Sequence, residues 1–81
     1  MPQDIYNEIR AISEELRSSG EEIWSAALDE ALSYVGFGSE ILGKVRLQMR
    51  RLKDSGVPQQ LHIEKRVDEA LKHLDKALRL C

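Results

Sequence analysis

The stretch Gly38-Ser39-Glu40-Ile41-Leu42-Gly43-Lys44-Val45 has the G-x-x-x-x-G-K spacing of a phosphate-cradling loop. Such a loop needs a Ser or Thr hydroxyl after the lysine to hold magnesium. Val45 stands there instead, and Glu40 would set a negative charge beside the phosphates. Ile41, Leu42 and Val45 fit better as one apolar helical stripe, with Ser39 as the helix N-cap. Nor can the parallel sheet of a nucleotide site be assembled from the remaining residues. A di-metal carboxylate site in a helical protein needs Glu-x-x-His spacing. Three residues before His62 stands Gln59, and three before His73 stands Ala70. The two histidines share a helical face about 16 Å apart, too far for one ion. Both are expected to face solvent, with Glu69 and His73 as an i, i+4 pair. The serines are expected at helix ends as caps, and Cys81, the sole cysteine, is the last residue. No nucleophile, metal or cofactor site is therefore expected, and the chain reads as non-enzymatic.

The densest charge run is basic: Lys44, Arg46, Arg50, Arg51 and Lys53, with no acid among them. On a helix it divides, Lys44 and Arg51 flanking one side of the apolar stripe and Arg46, Arg50 and Lys53 the other. This is the arrangement of long side chains whose stems cover a core. Salt bridges to acids of the first half are the expected use. Binding of nucleic acid through these five residues is the alternative, although a recognition helix wants adjoining polar base-readers. Leu47 falls nearly opposite Val45 and Leu52, with Gly43 one turn earlier and Arg46 and Arg50 beside it. Glycine, leucine and arginines so placed suit the close approach of another helix, so Gly43, Arg46, Leu47 and Arg50 are the candidate protein-contact residues.

These residues must be positioned by helices. Residues 1–43 carry two basic side chains against nine acids, and residues 44–81 carry ten against five, a polarity hidden in the net charge of −2. Glycines at 20, 36, 38 and 56, with Pro58, separate segments of helical apolar spacing. Four helices are expected, over about 4–18, 20–35, 39–54 and 59–80. Asp4 would cap the first, and Ser19 with Glu22 would form a capping box on the second. The first turns inward with Ile5, Ile9, Ile12 and Leu16, and the third with Ile41, Leu42, Val45, Met49 and Leu52. The fourth uses Ile63, Val67, Ala70, Leu71, Leu74, Ala77 and Leu78. In the second, Ile23, Trp24, Ala27, Leu28, Ala31, Leu32, Tyr34 and Val35 cover nearly half the circumference, which predicts the most buried helix, with Trp24 in the core. Short connections predict an all-α, compact antiparallel four-helix bundle of two hairpins, acidic against basic, as one domain over 1–81. Asp68 with Lys72 and Asp75 with Arg79 would line its solvated outer face.

A chain of 81 residues buries only about three fifths of its unfolded surface, so association of copies, in the simplest case a homodimer, is one route to added stability. Leu78 and Leu80, at the projecting end of the fourth helix, would suit it. No apolar run approaches the roughly 20 residues of a membrane span, and Met1-Pro2-Gln3-Asp4 lacks a signal-peptide start, so a cytoplasmic location is expected.

The stretch from Gly20 to Leu52, with Trp24, Leu28, Ala31 and Leu32, then Gly38-Ser39-Glu40-Ile41-Leu42 and Arg46 to Leu52, resembles small uncharacterised bacterial helical proteins. The resemblance implies a helical fold and assigns no functional residue. Some small helical bacterial proteins are immunity or antitoxin partners of toxins, which makes that role a further alternative. The expected function is protein binding, including self-association.

Overall fold

The computed structural model describes residues 3–78, which form five helices: α1 Gln3–Ser18, α2 Glu22–Leu32, α3 Gly38–Ser55, α4 Val57–Gln60 and α5 Glu64–Ala77. No strand is present among the described residues. Consecutive long helices pack on one another, and α1 also meets α5, so the four long helices surround one core. The Cα radius of gyration is 11.6 Å, close to the ~12 Å of a compact chain of this length. No described helix is long and apolar enough to cross a membrane.

The apolar stripes of α1, α3 and α5 form that core as their spacing predicts. Ile9, Ile12, Leu16, Val45, Met49, Leu52, Val67 and Leu74 are wholly buried, with Leu42, Ile63, Ala70 and Leu71 nearly so. Ile5, Ile41 and Leu78 pack against its edge. Ala77, placed on the inner arc of α5, is instead exposed, and Leu80 lies outside the described residues.

The helix ends explain the element count. Gly20, at φ +86°, closes α1: its N–H donates to the Arg17 carbonyl and that of Glu21 to Leu16, the paired bonds of a left-handed helix stop. The same geometry recurs where the sequence shows no glycine. His62 has φ +60°, its N–H donates to the Gln59 carbonyl, and the Ile63 N–H donates to that of Pro58. This turn divides the expected helix over 59–80 into α4 and α5, because apolar spacing alone does not register a left-handed residue that is not glycine. The expected caps also move. Asp4 already lies inside α1. Glu21, not Ser19, precedes α2 and makes no side-chain cap bond. α3 starts one residue before Ser39, where Phe37 is the N-cap and its N–H donates to Glu40 Oε1 at 3.2 Å.

The largest departure is α2. It ends at Leu32, three residues short of Val35, and buries only Leu28 and Ala31 among its apolar residues. Trp24, Ala27 and Leu32 are half-buried, while Ile23, Tyr34 and Val35 are exposed. An apolar arc of nearly half the circumference is wider than packing against α1 and α3 requires, and the surplus faces water.

Ser13 and Ser25, expected as helix-end caps, lie within α1 and in the first turn of α2 and are buried. The Ser13 hydroxyl donates to Asp29 Oδ1 at 2.7 Å and lies 2.9 Å from Ser25 Oγ, while Arg17 grips Asp29 Oδ2 at 2.7 Å. This network pins the register of the first hairpin. Short polar side chains are admitted into that seam because each finds a partner there.

Candidate functional site

The ion pairs show which charges the fold itself uses. Arg46 pairs with Asp75, and Lys53 Nζ lies 2.9 Å from Asp68 Oδ1. Both partners are on α5, so the bridges expected to acids of the first half form within the second half instead. Asp68 and Asp75 thus turn towards α3 and away from the solvated face where i, i+4 pairing placed them; Arg79 lies outside the described residues. Across α1 and α5, Arg66 lies 3.4 Å from Glu15, and His73 Nδ1 lies 2.8 Å from Glu8 Oε1. His73 therefore bonds Glu8, not Glu69. His62 is exposed at its turn. Among the described residues, no group of three or more His, Cys, Asp or Glu side chains could hold a metal ion.

The basic run of α3 is correspondingly divided. Arg46 and Lys53 face α5, whereas Lys44 lies on the other flank with its ammonium 4.3 Å from the centre of the Tyr34 ring. Among the described residues neither Arg50 nor Arg51 enters a salt bridge, and both are exposed. The five basic residues therefore do not form one presented strip. Helical phase produces this result: positions 46 and 53 share one flank of the α3 stripe, and 44 and 51 the other.

The four protein-contact candidates are also separated. Leu47 is half-exposed, Gly43 and Arg50 lie on the same outer ridge, and Arg46 turns away into its α5 pair. A Cβ at Gly43 would meet nothing within 4 Å, so this glycine is a bare point on the outside of α3.

Leu47 does not stand alone. It lines an open groove between α2 and α3 with Ala27, Glu30, Ala31, Tyr34, Lys44 and Gln48. Ile23 lies on the same stripe of α2, four residues before Ala27, and Val35 and Phe37 are exposed on the connecting loop. The exposed large apolar side chains among the described residues are Ile23, Tyr34, Val35, Phe37 and Leu47. All five lie on α2, α3 or the loop joining them. Val35 is 94% exposed and Phe37 79%, values normal for a single surface residue but notable where all such residues gather on two neighbouring helices and their loop. The loop is shaped to hold Tyr34: a Cβ on Gly36 would fall 2.7 Å from its ring. That missing side chain lets the ring settle at the groove mouth under Lys44.

Leu47 is legible in the sequence because it opposes a narrow stripe. Ile23, Tyr34 and Val35 extend the apolar arc of α2 and so read as part of its core. The excess width of that arc was the available signal.

Comparison of the chain with protein-family models, with curated proteins and with solved structures finds no match.

Proposed function

We propose that this protein is a non-enzymatic interaction module that binds a protein partner through the face formed by α2, α3 and their loop. The observation that carries this reading is that the exposed large apolar residues among the described ones all lie on α2, α3 or the loop joining them. The groove between the helices would take apolar side chains, with Glu30 and Lys44 in its lining and Arg51 on the same flank of α3 as Lys44. This is the composition of a contact surface: a small apolar centre with a charged rim. In the architecture proposed with it, the four long helices form an antiparallel bundle of two hairpins, and α4 is a turn within the second. A bacterial toxin partnered in the manner of an immunity protein or antitoxin falls within this class of partner.

The test is capture from lysate of the source organism with tagged protein, with Leu47→Asp in parallel and half of each sample treated with nuclease. The reading expects a stoichiometric protein that survives nuclease and is lost with Leu47→Asp, while the helicity and melting of the variant stay within about 0.5 kcal/mol of the parent. Recovery that disappears with nuclease would replace it by the alternative, a nucleic-acid-binding regulator acting through the basic run Lys44, Arg46, Arg50, Arg51 and Lys53.

A further inference from the structure

We infer that the occupant of the α2–α3 face is a second copy of this chain, docked about a two-fold axis that runs along the helices. This rests on the reading of that face as a binding surface and adds what covers it.

A face that binds its own copy must carry both halves of the contact. The two sides of this groove differ in the required way. On the α2 side the lining includes Ala27 and the acid Glu30 beside Tyr34, where α3 presents Leu47 and Lys44, with Arg51 one turn beyond Leu47. Two placements of the axis bring the faces together. An axis across the helices sets each helix against its own copy, so that Glu30 opposes Glu30 and the bases oppose bases, a repulsive arrangement. An axis along the helices sets α2 of one subunit against α3 of the other.

The second placement also preserves level. Within one chain Ala27, Glu30, Lys44 and Leu47 all line this one groove. Rotation about an axis parallel to the helices keeps each residue at its height. Glu30 then meets Lys44 of the partner subunit, and Leu47 of the partner subunit enters the space left by Ala27. Each of these contacts occurs twice. Ile23, one turn earlier on α2, comes level with Arg51 of the partner subunit, whose aliphatic stem can cover it. The same operation brings both α2–α3 loops to one end of the dimer. Val35 and Phe37, the most exposed apolar residues of that loop, then cover their counterparts.

The test is sedimentation equilibrium of the full chain over a concentration series, with charge-swapped variants. The parent is expected to reach twice its 9.3 kDa mass. Glu30→Lys alone opposes two cations across each contact, and Lys44→Glu alone opposes two anions. Each should weaken self-association roughly tenfold or more. Mixed in equal amounts they should form a one-to-one heterodimer, since every cross-subunit pair is again opposite in charge. Far-UV circular dichroism checks that both variants stay helical. Leu47→Asp gives an independent loss of the dimer without altering the charged pair. Two results overturn the inference: a parent that stays monomeric at about 1 mM, where a complex worth about 4 kcal/mol would be substantially formed, or a mixture of folded variants that stays monomeric. A monomeric parent that still captures another protein in a Leu47-dependent way removes the second copy and retains the interaction module. Loss of that capture as well removes both.

Discussion

The seams around α5 and the seam between α2 and α3 are built differently. Where α5 meets α1, Glu15 faces Arg66 and Glu8 faces His73; where it meets α3, Asp75 and Asp68 hold Arg46 and Lys53. Along the α2–α3 seam the described residues show no such pair, only the stacking of Lys44 on Tyr34 above Ala27 and Leu47. Exposed ion pairs contribute little stability, typically under about 1 kcal/mol each. What they supply is a seam whose flanking charges are matched within the chain. The α2–α3 seam leaves its charges without an ion pair and part of its apolar surface in water, the feature on which the proposed contact rests.

The sharpest way to break this comparison is to place one negative charge on each kind of surface. Leu74 lies wholly buried on α5, in the core behind the ion-paired seams. Leu74→Asp should abolish cooperative melting by circular dichroism, since an unpartnered buried carboxylate costs more than about 4 kcal/mol, comparable to the whole stability of a domain this size. Leu28→Asp on the inner side of α2 should do the same. The same replacement at Leu47 is expected to leave melting nearly unchanged. A folded Leu74→Asp protein would mean that α5 does not pack as described, whereas an unfolded Leu47→Asp protein would mean that the α2–α3 face is core.

A smaller loss is expected from the polar network of the first hairpin. Ser13→Ala removes the hydroxyl that donates to Asp29 and leaves Ser25 without its buried neighbour. Loss of the buried bonds between Ser13 and Ser25 and of the part-buried one to Asp29 should lower stability by about 1–3 kcal/mol, read from denaturant midpoints. Glu15→Gln, which touches only an exposed pair, should change it by less than about 1 kcal/mol. Equal losses in the two variants would show that the buried and exposed charge contacts do not differ as burial implies.

How far the sequence reveals this molecule depends on how narrow each apolar stripe is. The stripes of α1, α3 and α5 occupy limited arcs, and residues such as Ile12, Met49 and Val67 could be assigned inward from spacing alone. The arc of α2 is too wide for phase to decide, so Tyr34 and Val35 could not be told from Leu28 without knowing which helices flank it. Charge pairing was legible only as a preference. Arg46 and Lys53 clearly flank the stripe of α3, but which neighbour supplies their acids depends on the packing of α5. Ser13 and Ser25 gave no sign of burial, because a serine reads as polar wherever it stands, and their seam requires Asp29 to arrive from one turn beyond Ser25.

The turn at His62 decides where α5 begins, and hence which residues reach the seams with α1 and α3. Apolar spacing alone carries one helix through this position, and the two readings assign opposite signs to one substitution. In a continuous helix, His62→Gly should destabilise by about 1 kcal/mol, the ordinary penalty of a helical glycine. At φ +60° the side chain is strained and the exposed imidazole contributes little packing, so glycine relieves the left-handed conformation and loses part of that gain to the greater freedom of the unfolded chain. The expected result is a stabilisation of a few tenths to about 1 kcal/mol, a rise of a few degrees in Tm for a domain of this length. A fall in Tm would mean that α4 and α5 are one helix.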